Sequence, residues 1–278
     1  MRKTETKVYD YAREFKWIMI VAVVASVLSS IPYIWGQLIS PPGVAFTGLT
    51  HNIDDGAVYL SWMKQVSNGS FLFKNLYTSD SGQGGQFNLL IIAMGLIAKL
   101  MMLPGIWIFH AVRFALIILL VWACWRFFSL FTDNRAERKL FVMLLCFSSG
   151  LGWILGPVVA GKSAVDMWQP EAITFLSMYL NPLFLAGLLL MVGSLYYLVM
   201  LDRTGRIENA VKAGLCLFAL ASIHTYDLLT VGCVWAVYFI VACILSKELR
   251  IKTLTGSLLA VAISIPAVAY QYYLYSSD

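Results

Sequence analysis

Charge is the scarcest property of this chain. Asp, Glu, Lys and Arg make up 13% of 278 residues, against about 25% in a soluble domain. Hydrophobic residues make up 60%, and the mean hydropathy is +0.76. An ordinary water-soluble globule is excluded, and no nucleic-acid partner is expected. Paired-cysteine chemistry is also missing. Cys124, Cys146, Cys216, Cys233 and Cys243 all fall inside apolar runs, and no CxxC occurs. That argues against a disulfide framework or a zinc site and for small side chains packed in helices. An uncleaved first span is expected in place of a cleavable leader. The first apolar run, 17–36, is long and ends in aromatics, whereas a leader has a short core and a small-residue cleavage site.

What is present is a series of apolar runs that reach the ~20 residues needed to cross a bilayer. The fold class expected is an all-α polytopic membrane protein, a single transmembrane domain over 1–278 of about seven transmembrane helices. The spans are read at 17–37, 106–131, 139–158, 172–200, 210–224, 228–246 and 253–273. Of these, 210–224 is the shortest. The run 86–103 is also apolar, and the basic residues decide whether it crosses. If it does not, one side of the membrane holds 15 of the 20 Lys and Arg with 8 of the 15 Asp and Glu, a net +7. The other side holds five basic and seven acidic residues, a net −2. Every loop then obeys the positive-inside rule, and a crossing 86–103 would reverse three basic loops. The N-terminus is therefore expected in the cytoplasm, with 86–103 a re-entrant or juxtamembrane helix. From there Lys99 can snorkel to the headgroups.

This topology brings Asp54, Asp55, Asp166, Glu171, His224 and Asp227 to or near the non-cytoplasmic face. Ionisable residues at membrane level are candidate functional groups. The first outer loop, 38–105, is too long for a mere connector. Within DDGAVYLSWMKQVSNG, Val58, Trp62, Met63 and Val66 share a helical face, and Tyr59 and Trp62 suit the headgroup zone. An interfacial amphipathic helix is expected there, with Asp54 as its N-cap and Asp55 as a first-turn acid. His51 lies just upstream. The glycines at 82, 84 and 85 make the following segment pliable.

Two further clusters stand out. In DMWQPE (166–171), Asp166 and Glu171 flank Trp168 at the start of a span. In HTYD (224–227), His224 and Asp227 are three apart, so one helical turn would bring them together. Each has a plain reading as loop acids or a locally satisfied pair. An HxxD amid apolar sequence is costly without a partner, however.

The segment IDDGAVYLSWMKQVSNGSFLFKNLYTSD and the run HAVRFALIILL resemble the GT-C superfamily of integral-membrane glycosyltransferases, which use polyisoprenyl-phosphate sugars. Its members include protein O-mannosyltransferases, aminoarabinose transferases and oligosaccharyltransferases. The resemblance lies in a first span, an outer loop opening on an acidic pair, a juxtamembrane helix, and a next span that begins with an arginine. It extends over roughly 17–246, with specific residues confined to 50–80 and 110–113. Asp55 stands where the family more usually has Glu.

The resemblance implies transfer of a sugar from a polyprenyl-phosphate carrier to an unidentified acceptor. It makes Asp54 the base, with Asp55 and Tyr59 beside it, and it fits inverting displacement because the lipid phosphate leaves readily. Arg113 is the first choice for the phosphate, with Lys99 and Lys162 next. Arg113 would sit just below the outer headgroups, facing lipid phosphate or Asp55. A divalent cation, if one is used, would draw on Asp55, His224 and Asp227. Since members of this family usually continue with more spans or an outer domain, the chain is expected to be the N-terminal part of a longer protein.

GPVVAGKS (156–163) spells a phosphate-binding loop. Such a loop needs a buried strand before it, whereas here a membrane span precedes it, and no nucleotide is expected. NGS (68–70) spells a glycosylation sequon. Two non-enzymatic alternatives stay open, a transporter of lipid-linked sugars or an accessory subunit of a glycosylation complex. A transporter would show repeated halves with ionisable residues at the bilayer midplane, and no internal repeat is visible.

Overall fold

The computed structural model describes residues 2–77, 85–152, 154, 166, 168–170 and 173–277. Lys162, Glu171 and the GPVVAGKS motif lie outside them. The described residues form ten α-helices. In chain order these are α1 (Arg2–Leu38), α2 (Ile53–Ser67), α3 (Leu89–Met101), α4 (Gly105–Phe128) and α5 (Arg135–Phe147), then α6 (Thr174–Leu180), α7 (Pro182–Thr204), α8 (Ile207–Ile223), α9 (Asp227–Ser246) and α10 (Ile251–Ser277). Phe73 and Gln86 pair in one isolated antiparallel bridge.

Five helical stretches are long and apolar enough to cross a membrane: Tyr11–Leu38, Gly105–Phe128, Pro182–Thr204, Asp227–Ser246 and Ile251–Ser276. This is an all-helical chain built as an integral membrane protein. Helix α8, with 17 residues, rises about 26 Å at ~1.5 Å per residue. Helix α3, with 13, rises about 20 Å and falls short of a ~30 Å hydrocarbon core.

Two of the expected spans are interrupted. Within the run 139–158, α5 stops at Phe147, where Ser148 takes extended dihedrals. The run 172–200 breaks at Asn181, which is extended between α6 and α7. Asn181 Oδ1 accepts from the Leu183 and Phe184 N–H groups at 3.0 and 3.2 Å. Asn at an N-cap followed by Pro at the first helical position is a strong helix start, and here it outweighs the continuous apolar pattern.

The helices sort into two compact units. Unit 1 comprises Met1–Ala57 and Ile106–Leu185. Here Ile18, Ala22 and Ala25 of α1, Ile117, Leu120 and Val121 of α4, and Val142 and Cys146 of α5 are all buried. The end of the unit formed by α1, α4 and α5 is tied by Glu14, which is 1% exposed. Glu14 accepts from Arg138 Nε and Nη2 at 2.7 and 2.6 Å and from Trp125 Nε1 at 2.9 Å. The Glu14 hydrogen bond raises the pKa of Arg138 above the ordinary guanidinium value. The bidentate geometry lets a buried carboxylate persist in so apolar a setting.

Unit 2 comprises Val58–Gly105 and Ala186–Asp278. Its core is the α8–α10 contact, where Ala210, Ala213, Leu217, Leu220 and Ala260 are buried with Val231 of α9. A Cβ on Gly214 would lie 3.0 Å from the Ala260 carbonyl. Small residues let the two backbones approach closely. Asp202 plays for unit 2 the part that Glu14 plays for unit 1. It accepts from Arg250 Nη1 at 2.5 Å, Thr253 Oγ1 at 2.9 Å and Tyr238 Oη at 3.0 Å.

The helix expected after the acidic pair is α2. Its buried residues Met63 and Val66 pack against α3, and a Cβ on Gly95 would lie 2.8 Å from the Met63 carbonyl. Ser67 Oγ donates to the Gly95 carbonyl at 3.0 Å. Trp62 stacks on Phe73 with centroids 5.5 Å apart. The shared face read from the sequence is thus used for packing within unit 2.

Candidate functional site

Among the described residues, a concentration of polar groups lies in unit 1, where α1, α4 and α6 meet. Arg113 is 1% exposed. Its Nη1 donates to the Met178 carbonyl at 2.7 Å, to Ser29 Oγ at 3.2 Å and to the Ser29 carbonyl at 3.4 Å. Nη2 donates to Ser30 Oγ at 2.9 Å, and Nε donates to His110 Nδ1 at 3.4 Å. The guanidinium also lies 4.8 Å from the Tyr33 ring centroid. Among the described residues no carboxylate pairs with it.

Local sequence explains the arrangement. Pro32 lies inside α1 and has no N–H for the i−4 carbonyl, which weakens this turn of the helix. Ser29 and Ser30 sit in the same turn and place two hydroxyls toward Arg113. Helix α6 ends at Leu180, so its last carbonyls have no intrahelical donors. Arg113 takes that of Met178, and Tyr33 Oη donates to that of Tyr179 at 2.6 Å. The negative end of α6 therefore faces a cation, the favourable sense of the helix dipole.

His110 fixes the loop that enters from the other side. Its Nε2 lies 2.9 Å from the Gly48 carbonyl. With Nε2–H donating to that carbonyl, Nδ1 is left to accept from Arg113. Gly48 has φ +83°, and a Cβ there would collide with Ile106. Only glycine suits both the backbone and the space. Two residues on, Thr50 Oγ1 and Tyr179 Oη share a hydrogen bond of 2.6 Å.

These groups wall a cavity of about 420 Å³. Ser30, Tyr33, His110 and Arg113 supply its polar side, and Ile34, Phe46, Ile106 and Trp107 are among its apolar lining. A mostly apolar pocket with a few convergent polar groups is the usual form of a small-molecule site.

The acidic pair follows directly from this loop. Helix α2 starts at Ile53, two residues earlier than an N-cap at Asp54 implies, so Asp54 and Asp55 are both first-turn acids and Asp54 is not the N-cap. Asn52, with φ 51°, precedes the helix. Asn52 Nδ2 donates to Asp55 Oδ2 at 2.8 Å. Asp55 is thus engaged by Asn52 and not by Arg113. Asp54, Asp55 and His51 are exposed, while Tyr59 is half-buried beside Trp62, with centroids 6.0 Å apart. Arg113 in turn lies deeper in the protein than a headgroup-facing arginine.

Asp166 is also in unit 1. Its Oδ2 accepts from the Gly152 N–H at 2.8 Å, and no described group donates to its buried Oδ1. Lys99, in the last turn of α3 in unit 2, is exposed.

His224 and Asp227, also in unit 2, do come together, though by a turn between α8 and α9 and not by a turn of helix. His224 Nδ1 lies 2.7 Å from Asp227 Oδ2, and Tyr226 Oη lies 2.6 Å from His224 Nε2. The aspartate is 8% exposed. Among the described residues no group of three or more His, Cys, Asp or Glu is arranged to hold a metal ion. The trio Asp55, His224 and Asp227, expected as a possible ligand set, has no support there.

Tyr33, His110, Tyr179 and the serines at 29 and 30 were not singled out from the sequence. His110 was legible as the residue one helical turn before Arg113. The pairing with Met178 was not, because it depends on the break at Asn181.

No family model, no curated protein and no solved structure matches the chain.

Proposed function

We propose that this chain is a GT-C-type glycosyltransferase that takes a sugar from a polyprenyl-phosphate carrier at the non-cytoplasmic face of the membrane. The observation that carries the reading is Arg113, a buried cation with no carboxylate partner among the described residues, in the wall of a mostly apolar cavity. A phosphate supplies the missing negative charge, and the apolar lining suits the first isoprene units. His110 and Tyr33 hold the guanidinium in place. The loop that forms the cavity's edge, Phe46–Gly48, leads within a few residues to Asp54. In the proposed reaction Asp54 accepts the proton of the acceptor group as its oxygen or nitrogen attacks the anomeric carbon. The carbon–oxygen bond to the phosphate breaks, and the phosphate leaves with the bonding pair, stabilised by Arg113. Asp55 keeps the first turn of α2 in place through Asn52. The carrier's remaining isoprene units lie in the bilayer. The N-terminus is assigned to the cytoplasm by the charge distribution.

The test is labelled sugar transfer in membranes supplied with polyprenyl-phosphate sugars, comparing Asp54→Asn, Asp55→Asn and Arg113→Gln with the unaltered chain. Loss of transfer at normal protein abundance for Asp54→Asn, by about 100-fold or more, supports the base role. Unchanged transfer in all three variants overturns the reading.

One observation favours a second reading. Asp55 is engaged in a local cap and Asp54 is exposed. A protein that binds the lipid phosphate without chemistry, as a carrier or accessory subunit, needs no more of the pair than that. It predicts retained binding of polyprenyl phosphate with no transfer in any preparation.

A further inference from the structure

A second cavity of unit 1, about 490 Å³, lies beside Asp166. It is walled by Phe147, Ser148 and Ser149 at the end of α5, by Phe175 of α6, and by Tyr179. Three features mark it as built to hold a ligand. First, Asp166 is clamped against the backbone. Its Oδ2 accepts from the Gly152 N–H, and a Cβ on Gly150 would lie 2.6 Å from its Cγ, so only a glycine admits the carboxylate. Second, Oδ1 is shielded from solvent, with no donor among the described residues. A buried acceptor without a donor is costly, and Asp166 is among the residues that line the cavity. Third, Ser148 and Ser149 are exposed, and their hydroxyls make no bond to any described residue.

The chemistry of the ligand follows from that donor and acceptor set. A carboxylate only accepts, whereas serine hydroxyls both donate and accept. A ligand with hydroxyl groups matches both, since each hydroxyl donates and accepts. An ammonium ion would satisfy Asp166 but leave both serine protons unmatched. The rings of Phe147 and Phe175, with centroids 6.4 Å apart, add flat apolar surface for the carbon–hydrogen face of a sugar ring.

The two cavities of unit 1 are neighbours. Tyr33 lines the Arg113 cavity and Tyr179 lines the second, and the two rings lie 5.4 Å apart. We infer that the Asp166 cavity receives the sugar ring of a phosphate-linked saccharide whose phosphate is held at Arg113. This rests on the function proposed above and assigns Asp166, Ser148 and Ser149 to sugar recognition.

The test uses the full chain in lipid nanodiscs and two kinds of probe, bare polyprenyl phosphate and a panel of polyprenyl-phosphate hexoses. At least one hexose-bearing carrier is expected to bind about tenfold or more tighter than the bare carrier, the scale of one or two hydrogen bonds to a charged group. Asp166→Ala is expected to abolish that difference while leaving affinity for the bare carrier unchanged. The double variant Ser148→Ala/Ser149→Ala alters only exposed side chains and is expected to reduce the difference even if Asp166→Ala fails to fold. A difference that persists in a folded Asp166→Ala protein, or that is undiminished in the double variant, overturns the inference. So does the absence of any preference across the panel, or displacement of the hexose-bearing carrier by tetramethylammonium. Failure to bind the bare carrier, which holds no sugar, overturns the Arg113 reading itself and this one with it.

Discussion

Arg113 of α4 donates to the main-chain carbonyl of Met178 at 2.7 Å, joining a side chain in one long apolar helix to the unfinished end of a short one. The bond spans 65 positions in sequence. It gives Arg113 a structural role beside the ligand-facing one proposed for it, and the two roles separate experimentally. Arg113→Lys keeps the charge but loses the fork that reaches both serines and the carbonyl. It is expected to lower unfolding free energy by ~2–3 kcal/mol, since buried acceptors lose their donors. Binding of bare polyprenyl phosphate should fall less in Arg113→Lys than in Arg113→Gln. Denaturant titration in detergent with a parallel lipid-binding assay checks both. Equal binding in the two variants would show that charge at this position does not serve the ligand.

Gly48 is the second point of constraint. Its positive φ and its closeness to Ile106 predict that Gly48→Ala is destabilising by ~1–3 kcal/mol. In the background of Ile106→Ala the collision is relieved and only the backbone strain of about 1 kcal/mol should remain. Thermal midpoints of the two single variants and the double variant measure this coupling. Strict additivity would show that the two residues do not press on each other.

Glu14 should behave as a buried ion-pair anchor. Glu14→Gln strands Arg138 and is expected to cost ~3–5 kcal/mol. Glu14→Leu combined with Arg138→Met removes both charges and should recover part of that loss. If the double variant is no better than the single, the pair contributes more than mutual neutralisation.

The α2–α3 contact depends on Gly95, whose Cβ position meets both Val66 and the Met63 carbonyl. Gly95→Val should push the helices apart and raise hydrogen exchange across 58–67 at least tenfold, matching a loss above ~1.4 kcal/mol. Exchange rates no higher than in the unaltered chain would show that the contact tolerates a side chain.

Sidedness has its own measurement. In a background without native cysteines, Ser70→Cys should react with a membrane-impermeant maleimide added outside, and Asn134→Cys should react only after permeabilisation. The opposite pattern reverses the orientation assigned from charge.

How far the sequence led is clearest in particular residues. The long apolar runs at 17–37, 106–131, 228–246 and 253–273 return as helices because length and composition alone decide such segments. The run 172–200 misled for an equally physical reason. Its hydropathy is continuous, but Asn181 and Pro182 carry a helix start that acts through hydrogen bonds and not through polarity. Asp54 and Asp55 were legible as a helix opening, off by two residues because the helix starts directly after Asn52. The cluster around Arg113 was half legible. The arginine announced itself, but its ring of neutral partners did not. Serine, tyrosine and backbone carbonyl groups are common in any helix, and only the fold shows which of them converge.

The break at Asn181 also bears on the order in which the chain assembles. Synthesis runs from the N-terminus, so Tyr33 and Arg113 enter the membrane before Met178 and Tyr179 are made. Until α6 arrives, Arg113 is a charge in an apolar setting without one of its main acceptors, and α6 alone would end in carbonyls that the bilayer cannot satisfy. Each is a liability that the other removes. A chain released before residue 178 should therefore be a preferred target of membrane quality control, while one that reaches α7 closes the junction and escapes it.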